Sequence, residues 1–354
     1  MTTVRRACAL SIPFLLAASA ASADDIADFY RGKQMQIIVR SAAGSSYDQY
    51  SRLLARYIVR HIPGNPTMIA VNMTGGGGIK ATNFIADVAA KDGTILTIVN
   101  QGAPMDQALS LNNQMQADLR QFNWIGNMSD SNQILVTWHT SQTKTLADAK
   151  RRETPIGATG AGAPGVQLPA VYNNILGTKF KIITGYSGPE INLAMERGEI
   201  DGRGTNTWAS YVSATPYVAN KQINIIIQTG THKETELPDV PLLSELGTTP
   251  EETAVLQFVS KSVAVGRPIA APPGVPSARV AALRKAFYDT LHDPVFMAEA
   301  DKEKVEIHYM SGEDLARIVA DLIEAPPAIR EKARLAMEPK SLQQLPGTKA
   351  GGGD

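Results

Sequence analysis

The chain has 354 residues, and its 34 Lys and Arg residues balance its 34 Asp and Glu residues, so its formal charge at pH 7 is zero. This balance excludes a dedicated nucleic-acid binder, because such a protein needs a net basic surface to displace counterions from phosphates. Hydrophobic residues make up 44% and charged residues 19%, which is typical of a globular protein and excludes a disordered one. At about 150 residues per domain, the length predicts two domains.

The first 23 residues have the pattern of a secretory signal peptide. Arg5 and Arg6 form a short basic region, residues 7–20 are mostly apolar, and small residues at 21–23 supply a cleavage site. The apolar run is shorter than the ~20 residues of a membrane anchor. The arginine pair alone does not favour a twin-arginine route, and Cys8 precedes the run, where a lipoprotein cysteine would follow it. Cleavage after Ala23 leaves 32 basic against 34 acidic residues, a net charge of −2, and no cysteine, which indicates a secreted or periplasmic protein.

After the signal peptide, short β-branched apolar runs alternate with helical patterns. Strands are predicted at residues 36–40, 67–71, 94–99, 134–138, 155–158, 180–184, 223–228 and 262–265. Two helical faces are predicted, one formed by Tyr50, Leu53, Leu54, Tyr57 and Ile58, the other by Val280, Leu283, Phe287 and Leu291. The alternation predicts an α/β class with a mostly parallel sheet and helices on its faces. Runs such as 223–227 show little alternation, which indicates strands buried on both faces.

Small and hydroxylated residues cluster in four loops that follow predicted strands, at 41–46, 75–78, 159–165 and 185–188. In an open α/β sheet, ligands bind outside the carboxyl ends of the strands, and the free N–H groups of the following helices favour an anion there. The alternative is that these loops are tight turns, and for the four glycines of 75–78 we prefer it. The loops at 41–46 and 159–165 are predicted to bind, because Ser41, Ser45, Ser46 and Thr159 add hydroxyl groups.

Three charged side chains are predicted at the same edge, namely Arg40, Asp48 and Arg203. The guanidinium of Arg203, flanked by glycines, can hold a carboxylate in two parallel hydrogen bonds. A surface position or an ion pair with Asp201 explains Arg203 equally well. Asp48 can instead be a helix N-cap, and Arg40 can extend from a strand end into solvent.

The sequence contains no recognisable catalytic or metal-binding motif. Its five histidines are scattered without metal-ligand spacing, and cleavage removes the only cysteine. Walker and dinucleotide-binding motifs are missing. Residues 185–189, GYSGP, begin like a nucleophile elbow but have Pro189 in place of the last glycine. We therefore expect no enzyme, no cofactor and no metal; a pair of carboxylates brought together by folding is an alternative that no motif favours.

Long stretches of the sequence resemble the receptors of tripartite tricarboxylate transporters, the TctC-like or Bug-type solute-binding proteins. The resemblance begins in residues 29–94, which include the loop SAAGSSYD, and continues in ITGYSGPEINLAMERGEIDGRGTN, ELPDVPLLSELG and APPGVPSARVAALRKAF. It covers nearly the whole chain after the signal peptide. The first loop departs from the family pattern, because it has one glycine where proline and consecutive glycines are common. Arg40 also stands where a small residue is usual, so the departure weakens any transfer of substrate identity.

The resemblance implies a two-lobed, type II-like periplasmic-binding-protein fold whose chain crosses between the lobes near residues 133–139 and 257–267. Lobe one would hold residues 24–139 and 261–354, and lobe two residues 140–260. The ligand would contact residues of both lobes. These are Arg40, Ser41, Ala42, Ala43, Gly44, Ser45, Ser46, Tyr47, Asp48, Gln101, Thr159, Gly160, Ala161, Gly162, Ala163, Tyr186, Ser187, Gly188, Arg203 and Asn206.

The function implied by the resemblance is the capture of a small organic carboxylate, without reaction, and its delivery to the membrane permease subunits of a tripartite transporter. The protein would act in the periplasm as a monomer that binds no nucleic acid. Lobe closure around the ligand would be the signal that the permease reads. Two alternatives are a periplasmic sensor that presents the same ligand to a signalling partner, and a periplasmic hydrolase.

Overall fold

Two six-stranded sheets organise the chain. A computed structural model describes residues 25–111, 114–130, 132–160 and 163–344. The strands of these residues are, in chain order, β1 Gln34–Val39, β2 Thr67–Asn72, β3 Ile95–Ile98, β4 Asn123–Asn127, β5 Gln133–Trp138, β6 Thr154–Gly157, β7 Phe180–Thr184, β8 Gly202–Thr207, β9 Ile223–Thr229, β10 Pro268–Ala271, β11 Met310–Ser311 and β12 Gln343–Gln344. The predicted signal peptide lies outside the described residues.

Helices connect the strands and cover the sheets. A short helix at residues 25–30 precedes β1. The other helices are α1 Ser46–Ile58, α2 Ile79–Asp87, α3 Ala103–Leu109, α4 Leu146–Arg151, α5 Pro164–Leu176, α6 Gly188–Glu196, α7 Trp208–Ala214, α8 Pro250–Val263, α9 Ser277–Leu291, α10 Pro294–Lys302, α11 Gly312–Ile323 and α12 Pro327–Met337. Single 3-10 turns lie at Gly76–Gly78, Leu119–Gln121 and Leu243–Glu245.

Both sheets are mixed. The first has the strand order β11-β4-β10-β3-β1-β2 and the second β12-β7-β6-β8-β5-β9. In the first sheet β1 pairs in parallel with β2 and β3, whereas β10 runs antiparallel between β3 and β4. In the second, β6 pairs in parallel with β7 and β8, whereas β5 runs antiparallel between β8 and β9. The predicted α/β, two-lobed fold is confirmed, but the sheets are mixed. Each lobe takes in one antiparallel strand where the chain crosses, β10 in the first sheet and β5 in the second, and β11 adds another to the first sheet.

The chain changes sheet twice before its last strand. The first crossing lies between Asn127 and Gln133, and the second lies between α8 and β10, at residues 264–267. The segment 133–139, in which we expected the first crossing, begins with β5 and pairs within the second sheet. The second crossing falls inside the expected range of 257–267. Near the C-terminus, Gln343–Gln344 pairs with β7 of the second sheet, whereas the sequence analysis assigned this segment to lobe one.

The two crossing segments are hydrogen-bonded to each other. The Met128 N–H donates to the Arg267 carbonyl (3.1 Å), and the Arg267 N–H donates to the Ser129 carbonyl (3.0 Å). The fully buried Asn127 side chain joins them again, because its Oδ1 accepts from the Arg267 N–H (2.7 Å) and its Nδ2 donates to the Ala264 carbonyl (3.1 Å). We call residues 127–129 and 264–267 the paired crossing.

Buried apolar side chains fill both lobes and continue between them. The predicted faces of α1 and α9 are buried, and their residues pack with Ile37 and Val39 of β1. Full burial of side chains such as Leu53 and Leu283 contributes about 1.5–3 kcal/mol each. A second cluster runs from Trp124 in the first lobe to Ile156 in the second, and helices α8, α11 and α12 provide the residues between them. The lobes therefore share part of their core.

Seven of the eight predicted strands are confirmed, with ends within two residues of the expected positions. The eighth, 262–265, is wrong, because this segment completes α8 and its turn. Thr249 caps α8, Pro250 begins it, and the short apolar run at its end fits a helix as well as a strand. The strands β4, β8, β10, β11 and β12 were not predicted. The sequence of β8, GRGTNT, has low β-propensity and forms a strand only because β5 and β6 pair with it.

Gly266→Ala should strongly destabilise the protein. Gly266 has a φ of +53°, and a Cβ there would lie 1.7 Å from the Ser129 carbonyl oxygen. We expect the free energy of unfolding to fall by about 3 kcal/mol or more, measured by urea denaturation. Gly102→Ala is the matched control, since Gly102 has a φ of −78° and its nearest atom would be 3.8 Å away. Similar stabilities for the two variants would contradict this account of the paired crossing.

Candidate functional site

Hydrogen bonds among its own residues hold the loop after β1 in its conformation. Ser45 is the N-cap of α1 and accepts a hydrogen bond from the Asp48 N–H (3.3 Å). The Ser45 and Ser41 hydroxyls are 2.6 Å apart. Gly44 turns the chain with a φ of +80° and donates its N–H to the Asp48 carboxylate (2.9 Å). The hydroxyl groups of Ser41 and Ser45 thus hold the loop in shape.

Asp48 is a structural residue of this loop. Its side chain is buried, and its carboxylate accepts hydrogen bonds from the Gly44 N–H, Arg52 Nε (2.9 Å) and Asn72 Nδ2 (2.9 Å). The hydrogen bond from Arg52 is the main cause that lowers the pKa of Asp48 from 3.8 to about 2. The N-cap role that we considered for Asp48 belongs to Ser45, and Asp48 is the third residue of the helix.

Two arginines stack over one tyrosine ring next to the loop. The guanidinium of Arg40 lies 4.0 Å, and that of Arg267 4.6 Å, from the centre of the Tyr47 ring. Arg40 also donates from Nη1 to the Gly77 carbonyl (2.7 Å). The Nε atoms of both arginines are buried without a hydrogen-bond partner in the described structure. Cation–π contact with Tyr47 fixes both groups in place.

A cavity of about 430 Å³ lies between the two lobes. Its lining comes from both sheets and from the paired crossing: Ser46 and Gln101 from the first lobe, Thr207 and Ser210 from the second, and Arg267. We call it the interlobe cavity. Of the residues predicted to bind ligand, Ser46 and Gln101 line it.

Arg267 provides a guanidinium to this cavity. Its Nη1 donates to Gln101 Oε1 (2.9 Å), and its Nη2 lies 3.4 Å from the Ser46 hydroxyl. Its guanidinium lies 4.6 Å from the centre of the Tyr47 ring and 5.4 Å from the centre of the Tyr50 ring. Arg267 is the last residue of the predicted second crossing and was not among the residues predicted to bind ligand. Its position between Gly266 and Pro268, at a predicted crossing between the lobes, was the one feature of the sequence that could have indicated a role at the cleft.

A second cavity of about 180 Å³ lies at the carboxyl ends of β6 and β8. Four predicted residues line it, namely Thr159, Ala163, Arg203 and Asn206. The adjacent Thr205 also lines it, and its buried hydroxyl has no hydrogen-bond partner in the described structure. Asn206 lines this cavity and its neighbour Thr207 lines the interlobe cavity, so the end of β8 contributes to both linings.

Arg203 is held by the first two turns of α6. Its Nη1 donates to Asn192 Oδ1 (2.9 Å) and to the Gly188 carbonyl (3.2 Å). Its backbone belongs to β8 rather than to a surface loop. Ser187 caps α6 in a reciprocal arrangement with Glu190, which accepts from the Ser187 N–H at 2.6 Å. Ser187 and Gly188 therefore position Arg203 through α6.

The remaining predicted residues lie in the same loops but outside the linings of these two cavities. They are Arg40, Ser41, Ala42, Ala43, Gly44, Ser45, Tyr47, Asp48, Gly160, Tyr186, Ser187 and Gly188. Ala161 and Gly162 lie outside the described residues. Tyr47 still contacts the site, because its hydroxyl accepts from the Gln101 N–H (3.2 Å) and its ring contacts Arg267.

The described residues contain no group of three or more His, Cys, Asp or Glu side chains that could hold a metal ion. Over the same ranges, no helix has both the length and the apolar character that are needed to cross a membrane.

Comparison with known proteins shows the family of the chain. Residues 52–335, well over half of the sequence, match the family model described as the tripartite tricarboxylate transporter family receptor, TctC. The chain belongs to this receptor family. No curated protein matches the sequence.

Solved structures share the fold of this receptor. A TctC solute-binding protein from Polaromonas is 18% identical, with a TM-score of 0.67 over 87% of this chain and 99% of that one. A Rhodopseudomonas palustris protein with adipate is 17% identical, with a TM-score of 0.60 over 86% and 97%. MatC from the same organism, with bound malate, is 18% identical, with a TM-score of 0.58 over 86% and 99%. At these identities the similarity shows the two-lobed fold.

Asp48→Asn should remove an acid-sensitive part of the receptor's stability. Because the pKa of Asp48 is lowered from 3.8 to about 2, its ionised form stabilises the fold at neutral pH, and this contribution is lost as the pH falls towards 2. We expect the variant to lose about 2 kcal/mol at pH 7 and to show a shallower fall in stability below about pH 4, measured by urea denaturation. Asp28→Asn is the control, since Asp28 and its partner Arg31 are 67% and 69% exposed. Parallel pH profiles for wild type and Asp48→Asn would refute this role.

Proposed function

We propose that this protein is a periplasmic solute-binding receptor that captures a small organic carboxylate in the interlobe cavity. The observation that supports this most strongly is Arg267, whose guanidinium faces a cavity built from both lobes and the paired crossing. A guanidinium presents a planar fork of donors that matches a carboxylate, and a partly enclosed cavity strengthens such a bond. The residue therefore provides both charge and orientation for an acid group.

The surroundings of Arg267 prepare it for this role. Its backbone is fixed by the two hydrogen bonds of its N–H, to Asn127 Oδ1 and to Ser129. Its side chain stacks on Tyr47, and the Gln101 amide orients Nη1. Little conformational freedom is left to lose when an anion arrives, and such pre-organisation favours affinity.

The second lobe adds hydroxyl groups to the lining. Thr207 and Ser210 belong to the end of β8 and the start of α7, so a ligand held by Arg267 would contact both lobes. A ligand that binds both lobes stabilises the closed arrangement over the open one. The ligands of the two R. palustris relatives, adipate and malate, are acids of the proposed class.

We also propose the cellular setting. The family description supports delivery of the ligand to the permease of a tripartite transporter, and the predicted signal peptide supports a periplasmic location. The boundary between the lobes would lie at the paired crossing, where the chain passes from one sheet to the other, and the lobes would rotate about this hinge. Closure of the lobes around the ligand would then change the surface that both lobes present to the permease.

A thermal-shift panel on residues 24–354 tests the proposed function. The panel compares aliphatic di- and tricarboxylates, aromatic acids, amino acids and sugars, after unfolding and refolding to strip retained ligand. We expect a rise in melting temperature that is selective for carboxylates, because a ligand of the native state stabilises it by mass action. Failure of every acid to raise the melting temperature of the stripped protein would overturn the carboxylate assignment. Turnover of a bound acid would instead favour a hydrolase.

Arg267→Ala should weaken binding of the acid found in this panel by at least about tenfold, since a charge-assisted hydrogen-bonded pair is lost. Arg267→Lys should fall between this variant and wild type, because it keeps the charge but not the fork. Isothermal titration calorimetry measures the Kd, and a melting curve without ligand confirms that each variant folds. Arg60→Ala is the control, because Arg60 also stacks on a tyrosine, at 4.5 Å from the ring of Tyr57. An unchanged Kd for Arg267→Ala would remove Arg267 from the site.

Arg203→Ala should also weaken carboxylate binding by at least about tenfold if the ligand reaches the cavity at the end of β8. Asn192→Ala keeps the guanidinium but removes one of its supports, so a smaller loss is expected. Calorimetric titration of both variants separates direct contact from positioning. Wild-type affinity in Arg203→Ala would confine the ligand to the interlobe cavity.

A further inference from the structure

Lys304 occupies an unusual backbone position at the edge of the interlobe cavity. It follows α10 and has a φ of +56°, in the left-handed region where helices usually place glycine. Its N–H donates to the Asp301 carbonyl (3.1 Å), and the Val305 N–H closes the turn on Ala300 (2.8 Å). A side chain in this conformation costs free energy that glycine would avoid.

The turn that carries Lys304 is fixed to the first lobe. Gln49 donates from Nε2 to the Glu303 carbonyl (3.0 Å), and the Tyr50 hydroxyl donates to the Glu306 carbonyl (2.8 Å). Arg56 pairs with the Glu303 carboxylate at 2.5 Å. All three donors belong to α1, the helix that begins at the ligand-site loop. The Lys304 backbone is therefore held at a set place relative to Ser46 and Arg267.

Lys304 also stands where two cavities meet. It lines the interlobe cavity together with Arg267, and it lines a neighbouring cavity of about 490 Å³ that includes Trp208 and Val212. The same two cavities share Ala209 and Ser213 of α7, which face Lys304 from the second lobe.

The ammonium group of Lys304 is available to a ligand. Lys304 is exposed and has no salt bridge among the described residues. The neighbouring acidic residues have other cationic partners, Glu303 with Arg56 and Glu306 with His308 (3.7 Å). The lining of the interlobe cavity therefore holds two cations, a fixed guanidinium on the paired crossing and an ammonium on a flexible side chain. The carboxylates of Glu303 and Glu306 in the same lining are paired with Arg56 and His308.

We propose that Lys304 is a specificity-determining residue that binds the second acid group of a ligand whose first carboxylate is held by Arg267. This inference rests on the proposed function. The planar fork of Arg267 fixes the orientation of one carboxylate, whereas the ammonium of lysine is a point charge on a flexible stem. The receptor would thus select diacids over monoacids while accepting several chain lengths.

The test compares dicarboxylates from succinate to pimelate with monocarboxylates of the same carbon number, by calorimetric titration. Lys304→Gly removes the ammonium and also relieves the left-handed backbone, so the variant should fold at least as well as wild type. Lys221→Gly is the matched control, because Lys221 has a φ of +54°, is exposed and closes the same kind of turn on Val218 (3.1 Å). Lys304→Arg keeps the charge at the same place.

We expect Lys304→Gly to weaken binding of the preferred dicarboxylate by about fivefold or more and to change monocarboxylate binding by less than about twofold. Lys221→Gly should change neither, and Lys304→Arg should retain most of the preference. Unchanged dicarboxylate binding in Lys304→Gly, or equal losses for both ligand classes, would overturn the inference while leaving the proposed function in place. If no carboxylate binds the wild-type protein, the proposed function fails and this inference fails with it.

Discussion

The hydrogen-bonded pairing of the two crossing segments is the constraint on which the rest of the structure depends. Asn127, Ser129 and Arg267 join two pieces of chain that are far apart in sequence, and the glycine at 266 lets their backbones approach to hydrogen-bonding distance. The same hydrogen bonds fix the boundary between the lobes and the position of the Arg267 backbone. The proposed hinge and the proposed anion site therefore depend on one set of contacts.

The electrostatics of the first lobe follow from that arrangement. Arg40 and Arg267 converge on the Tyr47 ring, and neither has an ionic partner in the described residues. Asp48, the nearby carboxylate on the same helix, is turned inward and bound to Arg52. The carboxylate of Asp48 is thus kept within the loop, and the interlobe cavity is lined by Arg267 and Lys304 together with Glu303 and Glu306.

Much of the fold could be predicted, because it depends on patterns local in sequence. Seven strands and the buried faces of α1 and α9 followed from apolar runs and helical spacing. The glycine-rich β8 could not be predicted, because its glycines are required by close contacts with residues distant in sequence. A Cβ at Gly204 would lie 2.1 Å from the Gly165 carbonyl oxygen. Composition predicted the loops that lie near the interlobe cavity, but it could not separate Ser46, which lines the cavity, from Ser45, which caps a helix.

The sequence by itself determined the class of fold, the family, the order of strands and loops along the chain and the small residues at the strand ends. These properties depend on periodicity, turn chemistry and resemblance, which are readable within short segments. Only the tertiary structure decided which charged side chain faces the cleft. Arg40, Arg203 and Arg267 are alike as residues, and the crossing of the chain brings Arg267 to Gln101 and Ser46, which are 166 and 221 positions away. Such a contact is fixed by the packing of the whole fold, and no local pattern specifies it.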